Sequence, residues 1–168
     1  FIASASDDST VIFWDVSGQL LHTLSGHKRP VFGVSWSSKG NILASASLDG
    51  TVKLWNQNGE LQQTLIVEGE EFTGVTFSPD GELLAATSED KVQLWRRDGT
   101  LLITLKANRE ELTSISFNPD GRTLLSGTNQ VTIILRDLDN LTLESLVSKG
   151  CDALRDYGKG GDDFCLEE

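Results

Sequence analysis

One stretch of about forty residues is repeated along this chain, and a repeat of that length leaves few folds open. Its clearest copy is LASASLDGTVKLW, residues 43–55. It reads as two short strands joined by a tight turn. Asp49-Gly50 is the turn, a strong hairpin signal, and the second strand ends on a large aromatic. The same pattern appears as ASASDDSTVIFW at residues 3–14 and AATSEDKVQLW at residues 85–95. A worn copy, SGTNQVTII, runs over residues 126–134. Aligning the endings VIFW, VKLW, VQLW and VTII puts Trp14, Trp55, Trp95 and Ile134 in register, 41, 40 and 39 positions apart.

Each unit carries more than this strand pair. Residues 31–37, 72–78 and 112–118 read VFGVSWS, FTGVTFS and LTSISFN, each followed by a turn. Two of these turns are Pro-Asp-Gly, in which Pro presets φ, Asp bonds locally and Gly accepts a positive φ. After each Trp comes another turn (Ser17-Gly18, Asn58-Gly59, Asp98-Gly99), then QLLHTL, ELQQTL or TLLITL. One unit is therefore four antiparallel strands. A lone sheet with two partly apolar faces is not stable, whereas sheets packed face to face around an axis are. Small residues such as Ala44, Ala46 and Ala86 suit the close approach, and Val, Phe and Trp fill the space between neighbours.

Trp14-Asp15 is a tryptophan-aspartate ending and Gly26-His27 a glycine-histidine opening, and they bracket units of about 40 residues. In these features the chain resembles the WD40-repeat β-propellers over residues 1–138. The resemblance implies an all-β fold: a partial WD40-type β-propeller of about four blades of four-stranded antiparallel sheet, with a short C-terminal helix. The blades are expected at 1–27 (incomplete), 28–67, 68–107 and 108–138, and the helix and an acidic tail at 139–168.

The resemblance also implies a buried network of a His, a Ser or Thr on the second strand, the turn Asp and the Trp. Only the second unit holds all four, as His27, Ser47, Asp49 and Trp55. The first shows Ser6, Asp8 and Trp14. The third keeps Ser88, Asp90 and Trp95, with Glu68 at the His position and one residue deleted from the turn. The fourth keeps Thr128. A buried imidazole and an indole N–H both need partners, so the reading is structural. A His–Ser–Asp trio also invites a hydrolase reading, but no nucleophile elbow or separate oxyanion donor is visible. No phosphate loop, cofactor motif or metal-ligand spacing is present.

In WD40 propellers, partners often sit on the face lined by the loops before the first strand and by the turns after the second. Here those positions are Asp7 in the first unit and Pro30, Phe32 and Leu48 in the second. They are Glu71, Thr73 and Glu89 in the third, and Glu111 and Thr113 in the fourth. Phe32 either anchors a partner or packs under a loop. The acids beside it suit a basic protein or peptide with one apolar anchor.

Net charge is −11 over 168 residues, which disfavours a nucleic-acid partner. No apolar run approaches the roughly 18 residues of a membrane helix, so no membrane partner is expected. Cys151 and Cys165 read as a reduced pair, with a disulfide between them as the minority reading, and the reduced pair fits a cytoplasmic protein. From Leu143 onward, Leu146, Val147, Cys151, Leu154 and Tyr157 fit the spacing of an amphipathic helix capped by Asn140 or Thr142 and ended by Gly158. This segment resembles the close of large cyanobacterial WD40 proteins, with Ala153 where a Trp is common there.

The chain opens inside a repeat, so it is expected to be part of a longer polypeptide whose remainder would be one of its partners. The resemblance implies a non-catalytic scaffold or sensor, following a regulatory domain such as an NTPase or kinase. A hydrolase on a propeller and a purely structural repeat segment are the competing readings.

Overall fold

The computed structural model describes residues 1–107 and 110–139. The expected C-terminal helix and acidic tail lie outside the described residues. Within them the chain forms four antiparallel sheets and no helix. The first sheet is β1 (Ile2–Ala5), β2 (Thr10–Trp14) and β3 (Leu20–Ser25). The second is β4 (Val31–Trp36), β5 (Ile42–Ser47), β6 (Thr51–Asn56) and β7 (Leu61–Ile66). The third is β8 (Phe72–Phe77), β9 (Leu83–Ser88), β10 (Lys91–Arg96) and β11 (Leu101–Lys106). The fourth is β12 (Leu112–Phe117), β13 (Thr123–Thr128) and β14 (Ile133–Asp137). Each sheet is a meander, with strands paired in chain order.

The turns form for the reasons the sequence offers. Asp49 Oδ1 accepts the N–H and hydroxyl of Thr51, and Gly50 takes φ +81° between them. In the third sheet the turn is one residue shorter: Ser88 pairs directly with Lys91. Glu89 is left to take the positive φ itself, at +41°.

Strand alternation sends successive residues to opposite neighbours. Leu43 and Trp55 join Val11 and Phe13 in a core between the first two sheets. Ala44, Ala46, Val52 and Leu54 point the other way and share a core with Leu84, Ala86 and Trp95. Ala85, Val92 and Leu94 then meet Leu112, Phe117 and Leu124 in a third. There are thus three cores between four sheets, each built the same way.

The inner strands β4, β8 and β12 lie alongside one another. Gly33 makes the approach possible: a Cβ there would sit 2.9 Å from the Val75 backbone nitrogen.

Pairing corrects one expectation. Trp14, Trp55 and Trp95 stand opposite Ile2, Leu43 and Leu84. In the fourth sheet the residue opposite the equivalent Leu124 is Arg136, not Ile134. The worn repeat ends two residues later than its letters suggest. With Arg136 in place the spacings become 41, 40 and 41 positions.

Candidate functional site

The second sheet holds a continuous hydrogen-bonded chain of side chains. Trp55 Nε1 donates to Ser45 Oγ at 2.8 Å. Ser45 Oγ lies 2.7 Å from His27 Nε2, and His27 Nδ1 lies 3.0 Å from Asp49 Oδ2. Asp49 Oδ2 also accepts the Lys28 N–H at 2.8 Å. The neutral Nδ1–H tautomer satisfies every group: Ser45 donates to Nε2, and Nδ1–H donates to Asp49.

The serine in this chain is Ser45 rather than Ser47. Ser47 Oγ donates to the Arg29 carbonyl and accepts the Asp49 N–H, so it caps the turn instead. The reason is register. Ser45 is the diagonal neighbour of Trp55 on the same face, within reach of its indole, whereas Ser47 is one step further along β5.

The other sheets vary this arrangement. In the first, Trp14 Nε1 donates to Ser4 at 2.9 Å, so Ser4 again replaces the expected Ser6. Ser6 accepts the Asp8 N–H, and Asp8 holds its turn through Thr10. In the fourth, Arg136 Nη1 donates to Ser126 Oγ at 2.7 Å, so a guanidinium takes the place of the indole. Thr128 accepts the N–H groups of Gln130 and Thr132.

The third sheet has Ala86 at the serine position, and its polar cluster is built differently. Glu70, not Glu68, enters it. The Glu70 carboxylate accepts from Ser88 and, at 2.6 Å, from Lys91, with Gln93 fully buried beside Ser88. Asp90 contributes its backbone carbonyl to the Ala107 N–H. No simple sequence signal marks Glu70, because the shortened turn is what brings Lys91 opposite Ser88.

The same end of the sheets carries the residues expected to meet a partner. Phe32, Thr73 and Thr113 each sit at a β-bulge, where two residues of the inner strand oppose one of the next. A bulge re-aims its side chain, and here it does so at equivalent places in three sheets. Thr73 turns its hydroxyl to Thr87, and Thr113 to the Gly127 carbonyl. Phe32 instead stands 55% exposed, so it is not packed under a loop.

Leu48 is half-buried, and its N–H donates to the Pro30 carbonyl. Glu71 is ion-paired with Arg29, which also donates to the Leu48 carbonyl at 2.7 Å. Arg29 therefore ties the second sheet to the third and neutralises one of the expected acids. Glu111 accepts from Asn129 at 3.1 Å. Asp7 and Glu89 are exposed. Among the described residues, no group of three or more His, Cys, Asp and Glu side chains is placed to hold a metal ion.

The electrostatics give a pH dependence. Burial is the main effect on His27 and holds its pKa below the ordinary 6.5, against the pull of Asp49. Burial raises Asp49, but hydrogen bonds from Thr51, Lys28 N–H and His27 outweigh it, leaving its pKa below 3.8. Glu70 is likewise raised by burial and brought below 4.5 by Lys91 and Ser88. For each group the unfolded chain takes up protons at higher pH than the folded one, so acid favours unfolding. Stability should fall as pH drops below 6.5, where His27 titrates in the unfolded chain, and again below the carboxylate values. Urea midpoints across pH check this. His27→Gln should remove the first fall and keep the second, and an unchanged profile in that variant would contradict the assignment.

Four successive antiparallel sheets packed through alternating faces, with polar chains at equivalent positions, define a β-propeller-type repeat protein. The sequence comparisons supply the family. The WD domain, G-beta repeat model matches residues 18–56, and the anaphase-promoting complex subunit 4 WD40 domain model matches residues 75–152. The F-box-like/WD repeat-containing protein TBL1X of Mus musculus is 52% identical over 40 residues, covering 23% of this chain. The chain belongs to the WD40-repeat family. The match spans only 8% of that relative's length. Repeats of this family typically build protein-interaction scaffolds.

Proposed function

We propose that this chain is a non-catalytic protein-interaction module of a cytoplasmic protein. The observation that carries the reading is Phe32, an aromatic aimed outward by a bulge at the end where three sheets bring their turns together. Exposed aromatics beside charged groups are common anchors of binding energy. Asp7 and Glu89, with the Arg29–Glu71 pair, favour a protein or peptide in which a basic residue flanks an apolar one. The remaining repeats of a longer chain would be its other partner, and a sensor role would follow from whatever domain precedes them.

The geometry also bears on the enzyme reading. Ser45, His27 and Asp49 are spaced like a nucleophile, base and orienting acid. Ser45 is fully buried, however, and its oxygen already accepts the Trp55 indole N–H, so no substrate can reach it. This argues for the structural role.

The test uses fluorescent peptides in which a Leu or Phe is flanked by Lys or Arg, with acidic-flanked versions as controls. Phe32→Ala is expected to weaken the basic peptides by about tenfold or more while leaving the urea midpoint unchanged. Glu71→Lys should weaken them further. Equal affinity for basic and acidic peptides, or no loss in Phe32→Ala, would remove the proposal.

A further inference from the structure

The guanidinium of Arg29 uses one nitrogen within the chain and leaves its other edge free. Nη1 donates to the Leu48 carbonyl and to Glu71 Oε1, which takes both of its N–H groups. Among the described residues, nothing accepts from Nε or Nη2. Those two nitrogens hold parallel N–H groups on one side of the plane, a fork that matches the two oxygens of a carboxylate. The side chain is 49% exposed.

The fork is also held in place. The Lys28 N–H donates to Asp49, the Arg29 carbonyl accepts from Ser47 Oγ, and the Pro30 carbonyl accepts the Leu48 N–H. Three consecutive residues are thus tied to the turn after β5, while Leu48 and Glu71 hold the far end of the side chain. A long side chain fixed at both ends loses little freedom on binding. The repeat does not require a cation here: two residues before the inner strand, the third and fourth sheets have Glu70 and Glu110. Arg29 lies between the second and third sheets, inside the array, three residues before Phe32.

We infer that this fork takes a carboxylate of the partner that docks on Phe32. The inference rests on Phe32 as the anchor and adds the partner's second charge. A Lys or Arg of the partner answers the exposed Asp7 and Glu89, and an Asp or Glu answers Arg29. A carboxylate suits the site better than a phosphate, because Glu71 already stands against the guanidinium and opposes a second negative charge. Arg29 is then a specificity-determining residue, and its pairing with Glu71 presents the fork.

The experiment uses fluorescent peptides, capped at both ends, with a Leu or Phe between Lys on one side and Glu or Gln on the other. Both orders are made, because a peptide can lie either way across the site. In one order, the parent chain should bind the Glu peptide about tenfold more tightly than the Gln peptide. Arg29→Gln should lose that preference while binding the Gln peptide as the parent does. Arg29→Lys keeps the charge without the fork and should recover little of it. Urea midpoints confirm that both variants are folded. Peptides that need Phe32 but show no preference for Glu over Gln would overturn this inference alone. A preference that survives in Arg29→Gln would overturn it too, since another group would then hold the carboxylate. Peptides that bind equally well to Phe32→Ala, or not at all to the parent, would overturn the reading of Phe32 as well.

Discussion

Trp55→Ala is expected to lower stability by about 4 kcal/mol, as is usual for truncating a buried tryptophan. Two losses combine. The indole is almost completely buried in the core shared with Val11, Phe13 and Leu43, so its removal leaves a cavity between the first and second sheets. Its N–H is also the donor that fixes the Ser45 hydroxyl, which in turn faces His27. Trp55→Phe separates the two terms: most of the packing survives and the hydrogen bond does not, so a loss of about 1 kcal/mol is expected. Trp14→Ala should cost less than Trp55→Ala, because Trp14 lies on the open face of the first sheet and is only half-buried. Urea midpoints at constant slope measure all three. Equal losses for Trp14→Ala and Trp55→Ala would mean that the indole packing is not what distinguishes the two positions.

Asp49→Ala should cost about 3 kcal/mol, more than a typical surface change, because it leaves several donors without an acceptor. The carboxylate accepts from Thr51 N–H, Thr51 Oγ1, Lys28 N–H and His27 Nδ1. Lys28 and Thr51 can turn to water, whereas the His27 ring is buried and cannot. The loss should therefore be local. Amide exchange is expected to quicken in the turn at 48–51 and the loop at 26–30 before it does so in the third sheet, since repeat sheets are stabilised chiefly by their nearest neighbours. In the pairing of Asp49→Ala with Ser45→Ala, the two changes should be less than additive, because both break the same chain through His27. Strict additivity would show that the two residues act separately.

The architecture was legible in the sequence because it is periodic. A turn residue such as Gly50 or Gly81 declares itself through its conformational demand, and strand alternation follows from the pleat. Trp14, Trp55 and Trp95 could be placed on equivalent strands from spacing alone, and Asp49 could be assigned to its own turn. The exposed end at Phe32 could be proposed as a partner surface, but not whether the ring faced out. That depended on a bulge, and a bulge is one extra residue in a pairing the letters do not show.

Tertiary structure decided whatever depended on which side chains meet across strands. Ser45 and Ser47 are both serines on one face of β5, and only the pairing of β5 with β6 puts Ser45 beside the Trp55 indole. Arg136 carries no resemblance to tryptophan as a letter. It takes that place because it stands opposite Leu124 and can donate to Ser126. Glu70 supplies the third sheet's buried carboxylate because a one-residue deletion brought Lys91 opposite Ser88. Arg29 crosses from one sheet to the next to meet Glu71, a contact between residues 42 positions apart. Periodicity is local and survives in sequence, whereas hydrogen-bond partners are chosen by distance in space, and that is set only once the strands have paired and the sheets have packed.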